Sequence, residues 1–518
     1  MPPKPPKPPK TSSLSKSSSS RGSVCSAKLS FQECEMAILR AAIDHSTEEQ
    51  QNSQRNTNGP EIEAMIEIVE SFLAKKQTIC YGGTAINNIL PREVQFYNRS
   101  IDIPDYDFYS SNAMDDAKEL ADVFYQKGYR DVEAKTGVHH GTYKVFVNFI
   151  PIADITYLDS IIFQQLLKQS LKIAGIFYAS PNWLRMGMYL ELCRPNGDIS
   201  RWEKVLTRLT LLNKYYPLQQ ETTSNQVKCI NQTFQRQIEG YSTNVASKIH
   251  DIVRMTLINQ NVVFFGGYAM NIYASYMPKT EAKLFKKIAD FDVLAENIDK
   301  TAMIVVEQLQ QAGFHNGHSI KHEGIGEILP EHVEIRVGKE IVAFIYGPTE
   351  CVNYNQVIIE GVNIRIATID TILRYYLAFI YTGRQYYDTN RLLCMSQFLF
   401  DVQQKNRLEQ KGVLERFGSS CIGKQATIED IRAEKAELFK KLSKDRNTLE
   451  YQEWFMKYIP EEKSQIKAPR KPRKLPKPKP KSKRRHQRHL KMKSQKARQA
   501  RGKRTYRTTR KIKSVYYY

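Results

Sequence analysis

The sequence predicts an α+β protein built from two tandem copies of one domain, each followed by helical segments. Two observations predict it. First, "ICYGGTAINNIL" (Ile79–Leu90) and "VFFGGYAMNIYA" (Val263–Ala274) each set an apolar run, two glycines and a helix-like pattern in the same order. Second, an Asp-x-Asp follows 23 or 24 residues after the first glycine of each: Asp105 and Asp107 in "PDYDF", Asp290 and Asp292 in "ADFDV". The order helix, short strand, Gly-Gly, helix, Asp-x-Asp, strand pair recurs at an offset of 184–185 residues. That spacing reads as a duplicated domain and not as a solenoid.

Each element has a local reason. Ile62, Met65, Ile66, Val69, Phe72 and Leu73 fall at helical spacing and predict an amphipathic helix with one buried face. Thr78–Tyr81 is a short β-like run ending at Gly82-Gly83, and Ala85, Ile86, Ile89 and Leu90 resume helical spacing. Tyr143–Leu158 is rich in β-branched and aromatic residues and predicts a strand pair. From Ser160 to about Pro217 the pattern is helical, and the polar stretch Gln219–Asn225 reads as a hinge. Val245, Ile249, Ile252, Val253 and Leu257 open the second cycle, which closes on the strands "HVEIRVG" and "EIVAFIYGP". Helical texture returns from Ile369 to Leu442. The expected spans are an arm at 1–30, a first domain at 31–159, a helical region and hinge at 160–240, a second domain at 241–350, a mainly helical region at 351–465 and a tail at 466–518.

Charge is concentrated at the ends. The 518-residue chain carries a net charge of +23, yet 23 Lys or Arg and no Asp or Glu lie from Lys467 onward. The remainder holds 54 basic residues against 54 acidic ones, so the charge belongs to the tail. A polyanion-binding tail is thus attached to an ordinary globular body. The opening Pro-, Lys- and Ser-rich stretch and the tail are both expected to be disordered. The eight cysteines show no Cys-x-x-Cys, which argues against a zinc module and fits a reducing compartment. No signal peptide and no membrane span are expected.

Asp105 and Asp107 stand at i and i+2, so on a strand both carboxylates point to one face, ~6–7 Å apart along the backbone. Carboxylates held that way share hard divalent cations. Paired ions of this kind clamp the attacking and leaving oxygens of a phosphoryl or nucleotidyl transfer. Alone, an Asp-x-Asp is more often a solvated turn. Gly82, Gly83 and Thr84 sharpen the signal, because glycines between strand and helix let backbone N–H groups approach a phosphate and Thr84 adds a hydroxyl. Asp154 interrupts the apolar run "PIADITYL" and is the candidate third carboxylate.

This combination resembles the nucleotidyltransferase superfamily typified by DNA polymerase β. More narrowly, "YGGTAIN", "IPDYDFYS", "ADITYL" and "PNWLRMGMYLELCRPNGDISRWEKV" resemble the poly(A) polymerase catalytic subunits of large nucleocytoplasmic DNA viruses, the mimivirus-like group above all. The likeness spans roughly Glu61 to Thr349. It implies two tandem DNA-polymerase-β-like domains, with Asp105, Asp107 and Asp154 binding two Mg²⁺ or Mn²⁺ ions and Gly82, Gly83 and Thr84 holding ATP. It implies AMP addition to RNA 3′ ends and a location in the virion and host cytoplasm.

The second copy reads as degenerate. Aligning "PIADITY" with "EIVAFIY" sets Asp154 against Ala343, and Thr84 becomes Tyr268. Glu340 would face the opposite side of its strand. Asp290 and Asp292 are expected to be structural, and the copy to serve packing, dimerisation into a homodimer, or RNA guidance. Arg201, Lys204, Arg208 and Lys214 follow the first copy; Lys204 is the candidate ATP-binding cation, against the commoner reading of solvated helix charges. His139 and His140 are expected at the surface. The rival functions are transfer of another nucleotide to RNA and a non-catalytic RNA-binding scaffold.

Overall fold

The computed structural model describes residues 30–97, 106–218, 229, 240–279 and 290–461, apart from some side chains of the first helix. Asp105, the hinge at Gln219–Asn225, the N-terminal arm up to residue 29 and the basic tail lie outside the described residues. The chain forms two compact units, Met1–Glu67 with Phe96–Pro104, and Ile68–Gln95 with Asp105–Tyr518. In the first, the described residues are chiefly the N-terminal stretch of helix α1 (Phe31–Lys75). This helix begins well before the predicted Ile62–Leu73 stripe, of which Ile62, Met65, Val69, Phe72 and Leu73 are buried.

The second unit holds two eight-stranded sheets. The first takes β1 (Ile79–Tyr81), β2 (Tyr106–Ser110), β3 (Val132–Thr136), β4 (Thr142–Val147), β5 (Ile150–Tyr157), β6 (Leu171–Ile173) and β7 (Ile176–Tyr178). With a late strand, β16 (Lys457–Tyr458), their order is β16-β3-β4-β5-β2-β1-β7-β6. The second takes β8 (Val263–Phe264), β9 (Phe291–Leu294), β10 (Gly317–His322), β11 (His332–Val337), β12 (Glu340–Tyr346), β13 (Val352–Ile359), β14 (Val362–Ala367) and β15 (Cys421–Ile422), in the order β10-β11-β12-β9-β8-β14-β13-β15. The senses match as well: β1–β2 and β8–β9 are antiparallel, whereas β2–β5 and β9–β12 are parallel.

Helices cover these sheets where their apolar stripes allow. α2 (Gly82–Ile89) and α8 (Gly267–Ala274) follow the Gly-Gly turns. α3 (Ala113–Gln126) buries Ala117, Leu120, Ala121 and Phe124, one face at helical spacing against β3, β4 and β5. α4 (Ser160–Gln169) precedes the β6–β7 hairpin, which interrupts the helical region expected from Ser160 to Pro217. α5 (Pro181–Leu192) opens on Ser180, whose hydroxyl caps Trp183 N, with Pro181 in the first turn. α6 (Trp202–Tyr215) packs on it. α7 (Thr243–Asn259) and α9 (Ile298–Gln311) pack together beside the second sheet. The expected mainly helical region from 351 begins with the β13–β14 hairpin before α10 (Ile369–Phe379) and α11 (Thr389–Lys405). α10 lies on α5, and Ser180 Oγ meets Tyr381 Oη at 2.6 Å, so the two halves share one core.

The chain then returns to the first sheet. α12 (Ile428–Leu442) starts at a Thr427–Asp430 capping box, and α13 (Leu449–Phe455) leads into β16, which pairs antiparallel with β3. Lys435 Nζ donates to Gly137 O at 2.6 Å and Tyr458 Oη to Asp122 Oδ1 at 2.7 Å, fixing this return. Cys229 is bonded to Cys394 and Cys351 to Cys421. These bridges run against the reducing compartment expected from the cysteine pattern; the pairs are 165 and 70 residues apart, so spacing along the sequence did not reveal them. Among the described residues no helix is long and apolar enough to cross a membrane.

Asp370, fully buried, receives Arg416 Nε at 2.9 Å and Nη2 at 2.8 Å. Removing one partner leaves the other charge unpaired in the core. Asp370→Ala is expected to lower stability by about 3–5 kcal/mol in chemical denaturation. Glu437→Gln, which breaks the exposed pair with Lys440, should leave the midpoint unchanged.

Candidate active site

The site grows from the edge between β1 and β2. Tyr81 pairs with Asp107, and the chain must then turn sharply into α2. Gly82 makes that turn with φ +70°, in the left-handed region that favours glycine. A Cβ at Gly82 would sit 2.5 Å from Asp107 Oδ2, so the position excludes any side chain for a second reason. α2 starts here with no side-chain cap on its first N–H groups. Thr84 is buried.

β2 and β5 run parallel, with Asp107 directly opposite Asp154. Paired residues on neighbouring strands share a face, so both half-buried carboxylates project together. Lys144 on β4 is in register with Asp154, and its Nζ forms an ion pair with Asp154 Oδ2. This cation escaped sequence reasoning. Its register follows from the two-residue turn at Asn148–Phe149 and an irregularity between Val145 and Phe146, and no sequence signal marks the latter.

On the same face, further along the strands, Tyr81 Oη meets Thr156 Oγ1 at 2.9 Å. The Tyr81 ring stacks on Tyr109 at 3.8 Å, and Tyr109 meets Trp183 edge-on at 5.7 Å. Burial, reinforced by Tyr109 and Asp107, pushes the Tyr81 phenol well above its ordinary pKa, so it stays protonated. Tyr81 therefore braces the floor of the site and is not a base. Among the described residues no group of three or more His, Cys, Asp or Glu is placed to hold a metal ion; the described part contributes Asp107 and Asp154.

The other candidates lie elsewhere. Arg201 pairs with Glu191 at 3.4 Å, and Lys214 lies over the Tyr215 ring at 5.3 Å. Lys204 is exposed on α6. Two residues before it, Trp202 Nε1 donates to Glu191 O at the C-terminal end of α5, whereas Ala179, just before the N-terminal end of α5, bonds to Cys80 on β1. The twelve residues of α5 place these ends ~18 Å apart. His139 is exposed as expected, but His140 is half-buried and its ring packs on Trp454 at 4.3 Å.

The second sheet repeats the frame with different contents. A Cβ at Gly266 would run into Asp292, as at Gly82 and Asp107. Asp292, however, pairs with Phe344, and Ala343 pairs with Phe291. Phe344 thus takes the place of Asp154, one residue beyond the position aligned from sequence, and neither residue supplies a carboxylate. Asp290 and Asp292 are buried, and the cavity beside them is about 20 Å³, walled by Tyr376, Phe379, Tyr387 and Arg391 among others.

Residues 67–198, which contain the Gly82 turn, Asp107 and Asp154, match the profile of a family described as the poly(A) polymerase catalytic subunit. A protein of African swine fever virus described as a poly(A) polymerase catalytic subunit is 36% identical over 171 residues, 32% of this chain and 36% of that protein. A protein of Acanthamoeba polyphaga mimivirus with the same description is 33% identical over 161 residues, 30% of this chain and 27% of that one. The aligned stretch thus spans about a third of the relatives' length. The crystal structure of the Megavirus polyadenylate synthase shares the fold with a TM-score of 0.68 at 20% identity, over 84% of this chain and 88% of that one. The resemblance drawn from the motifs is met over residues 67–198.

The Gly82 turn is a test of the geometry. Gly82→Ala is expected to displace Asp107 and to cost at least about 1 kcal/mol of stability in chemical denaturation, because both φ and the Cβ conflict with the site. Gly187→Ala on α5, where a Cβ meets nothing within 4 Å, should not lower the denaturation midpoint.

Proposed function

We propose that the chain is a template-independent RNA 3′-adenylyltransferase, a poly(A) polymerase with two tandem nucleotidyltransferase domains like that of DNA polymerase β, the first active and the second degenerate. The observation that carries this reading is the in-register pairing of Asp107 with Asp154 beside the Gly82 turn, inside the segment that matches the family profile. The printed descriptions of the viral relatives and of the Megavirus structure support it.

The donor set fits Mg²⁺ or Mn²⁺. Both prefer carboxylate oxygens, Asp107 and Asp154 offer them on one face, and Asp154 has already drawn an ammonium group where a cation belongs. Asp105, two residues before Asp107, completes the proposed three-carboxylate set. Two divalent ions held there would lower the pKa of the RNA 3′-hydroxyl and neutralise charge on the pyrophosphate leaving group. Gly82, Gly83 and Thr84 hold the β- and γ-phosphates of ATP through backbone N–H groups at the start of α2. Asp154 orients the 3′-hydroxyl for in-line attack on the α-phosphate, AMP passes to RNA and pyrophosphate leaves, with no covalent enzyme intermediate. Lys144 must release Asp154 for this to happen. Lys204 belongs to this reading as a cation for the triphosphate, reached from the exposed face of α6.

Phe344 and the aromatic wall around Asp292 support a non-catalytic second copy, whose role is packing or a homodimer contact. The basic tail contacts RNA by counterion release, and the family resemblance places the enzyme in the virion and host cytoplasm.

Asp105→Ala, Asp107→Ala and Asp154→Ala should each reduce AMP incorporation at least about a hundredfold in a Mn²⁺-dependent extension assay while the fold survives. Asp290→Ala with Asp292→Ala should leave the rate largely intact; equal losses would make both copies catalytic. Labelled ATP, UTP, CTP and GTP in competition separate adenylyl transfer from addition of another nucleotide.

Removing Lys467–Tyr518 should weaken RNA affinity and flatten the slope of log affinity against log salt, since those residues hold the net charge. An unchanged slope would show that the tail does not touch RNA.

A further inference from the structure

A cavity of about 550 Å³ opens at the C-terminal ends of β2 and β5. It is large enough for a nucleoside. Thr156 lines it, two residues beyond Asp154 on the same strand and the same face, ~6–7 Å along the backbone. Its other walls come from far along the chain. Ile325–Ile328, in the connection between β10 and β11 of the second sheet, form one side, and Leu449 and Glu453 of α13 form another.

We propose that this cavity is the subsite for the terminal nucleoside of the RNA acceptor, with Glu327 of the second sheet's loop holding the base. The inference rests on the adenylyltransferase reading and deepens it.

Three observations support it. The first is position. β1 and β2 are antiparallel with Tyr81 opposite Asp107, so Gly82 lies toward the N-terminal end of β2. The cavity lies toward the C-terminal end. The phosphate turn and the cavity therefore sit at opposite ends of the carboxylate pair, as the leaving and attacking groups of an in-line displacement require.

The second is charge. Asp115, Asp159 and Glu453 line the cavity beside Glu327, and no Lys or Arg does so among the described residues. Such a wall repels phosphate and suits an uncharged base and ribose. Ile325, Ile328 and Leu158 supply apolar surface for the base faces.

The third is Glu327 itself. Its Oε2 is buried and has no hydrogen-bond partner among the described residues. The loop is anchored by Arg374, whose Nη2 donates to Glu327 O at 3.1 Å and pairs with Glu350 at 3.0 Å. Burial, with Glu350 nearby, pushes the Glu327 carboxyl well above its ordinary range, and in its protonated form it presents a donor and an acceptor side by side. That pair matches the adjacent donor and acceptor on the edge of an unpaired base. Glu327 lines the cavity beside Ile325 and Ile328, and a carboxyl oxygen without a partner is satisfied by a group of this kind.

The test uses the full chain and a short oligoadenylate. With a photoreactive base at its 3′ end, crosslinks should map to 325–328 or to α13 by mass spectrometry. Glu327→Ala should raise KM for the oligoadenylate about tenfold with KM for ATP unchanged. Glu327→Gln, which keeps a donor and an acceptor, should behave as wild type. If Glu327→Ala does not fold, Leu449→Trp fills the cavity from a 63% exposed position and should give the same split. Crosslinks elsewhere, or a KM change that falls on ATP, would overturn the assignment. A chain that crosslinks here but incorporates no AMP would overturn the adenylyltransferase reading and leave the base subsite supported.

Discussion

The parallel pairing of β2 with β5 sets Asp107 opposite Asp154, and the rest of the site is arranged around that register. A slip of one residue would turn one carboxylate to the other face of the sheet. The pairing is held by buried Phe108 and Ile155 beside the two aspartates and by the α3 stripe against β3, β4 and β5. Gly82 then approaches Asp107 so closely that no side chain fits between them. Lys144 completes the electrostatics by placing a cation on Asp154. Two half-buried acids side by side repel each other, and the ammonium group relieves that repulsion in the protein without ligands.

The second sheet repeats the same frame without a facing pair of carboxylates. The glycine still crowds an aspartate, and strands of the same sense flank it. Phe344 stands where a carboxylate would be needed, and side chains of α10 and α11 leave a cavity of about 20 Å³, room for no more than a water. Filling that space joins the second copy to the helices after it, with Phe265, Tyr346 and Phe379 packed ring against ring. In the second half that volume is part of the core.

The two halves nevertheless meet at the first site. The β10–β11 connection carries Glu327 to the cavity beyond Asp154, and α13 closes it on another side. β16 adds a strand to the open edge at β3, and Trp454 packs on His140. An exposed sheet edge invites unwanted pairing, and this return covers it.

The sequence by itself determined the Gly-Gly turns, the Asp-x-Asp motifs, the Tyr143–Leu158 strand pair and the charge of the tail. These are local properties: glycine freedom, alternation of apolar residues and composition can be read without knowing what lies across from them. It also singled out Asp154, because an acid inside an apolar strand run is costly unless it has a purpose. Lys144, Glu327 and Phe344 were not legible, since each matters only through a residue far away or in another strand. The β6–β7 and β13–β14 hairpins were hidden inside patterns that read as helical, since periodicity cannot separate a short buried strand from a helix segment. The place of Lys204 on α6, beside the C-terminal end of α5, was likewise set by helix packing and not by distance along the sequence. Sequence fixes which chemical groups are available; only the pairing of strands and the return of distant segments decides which of them share a face, because that choice depends on register and packing across hundreds of residues.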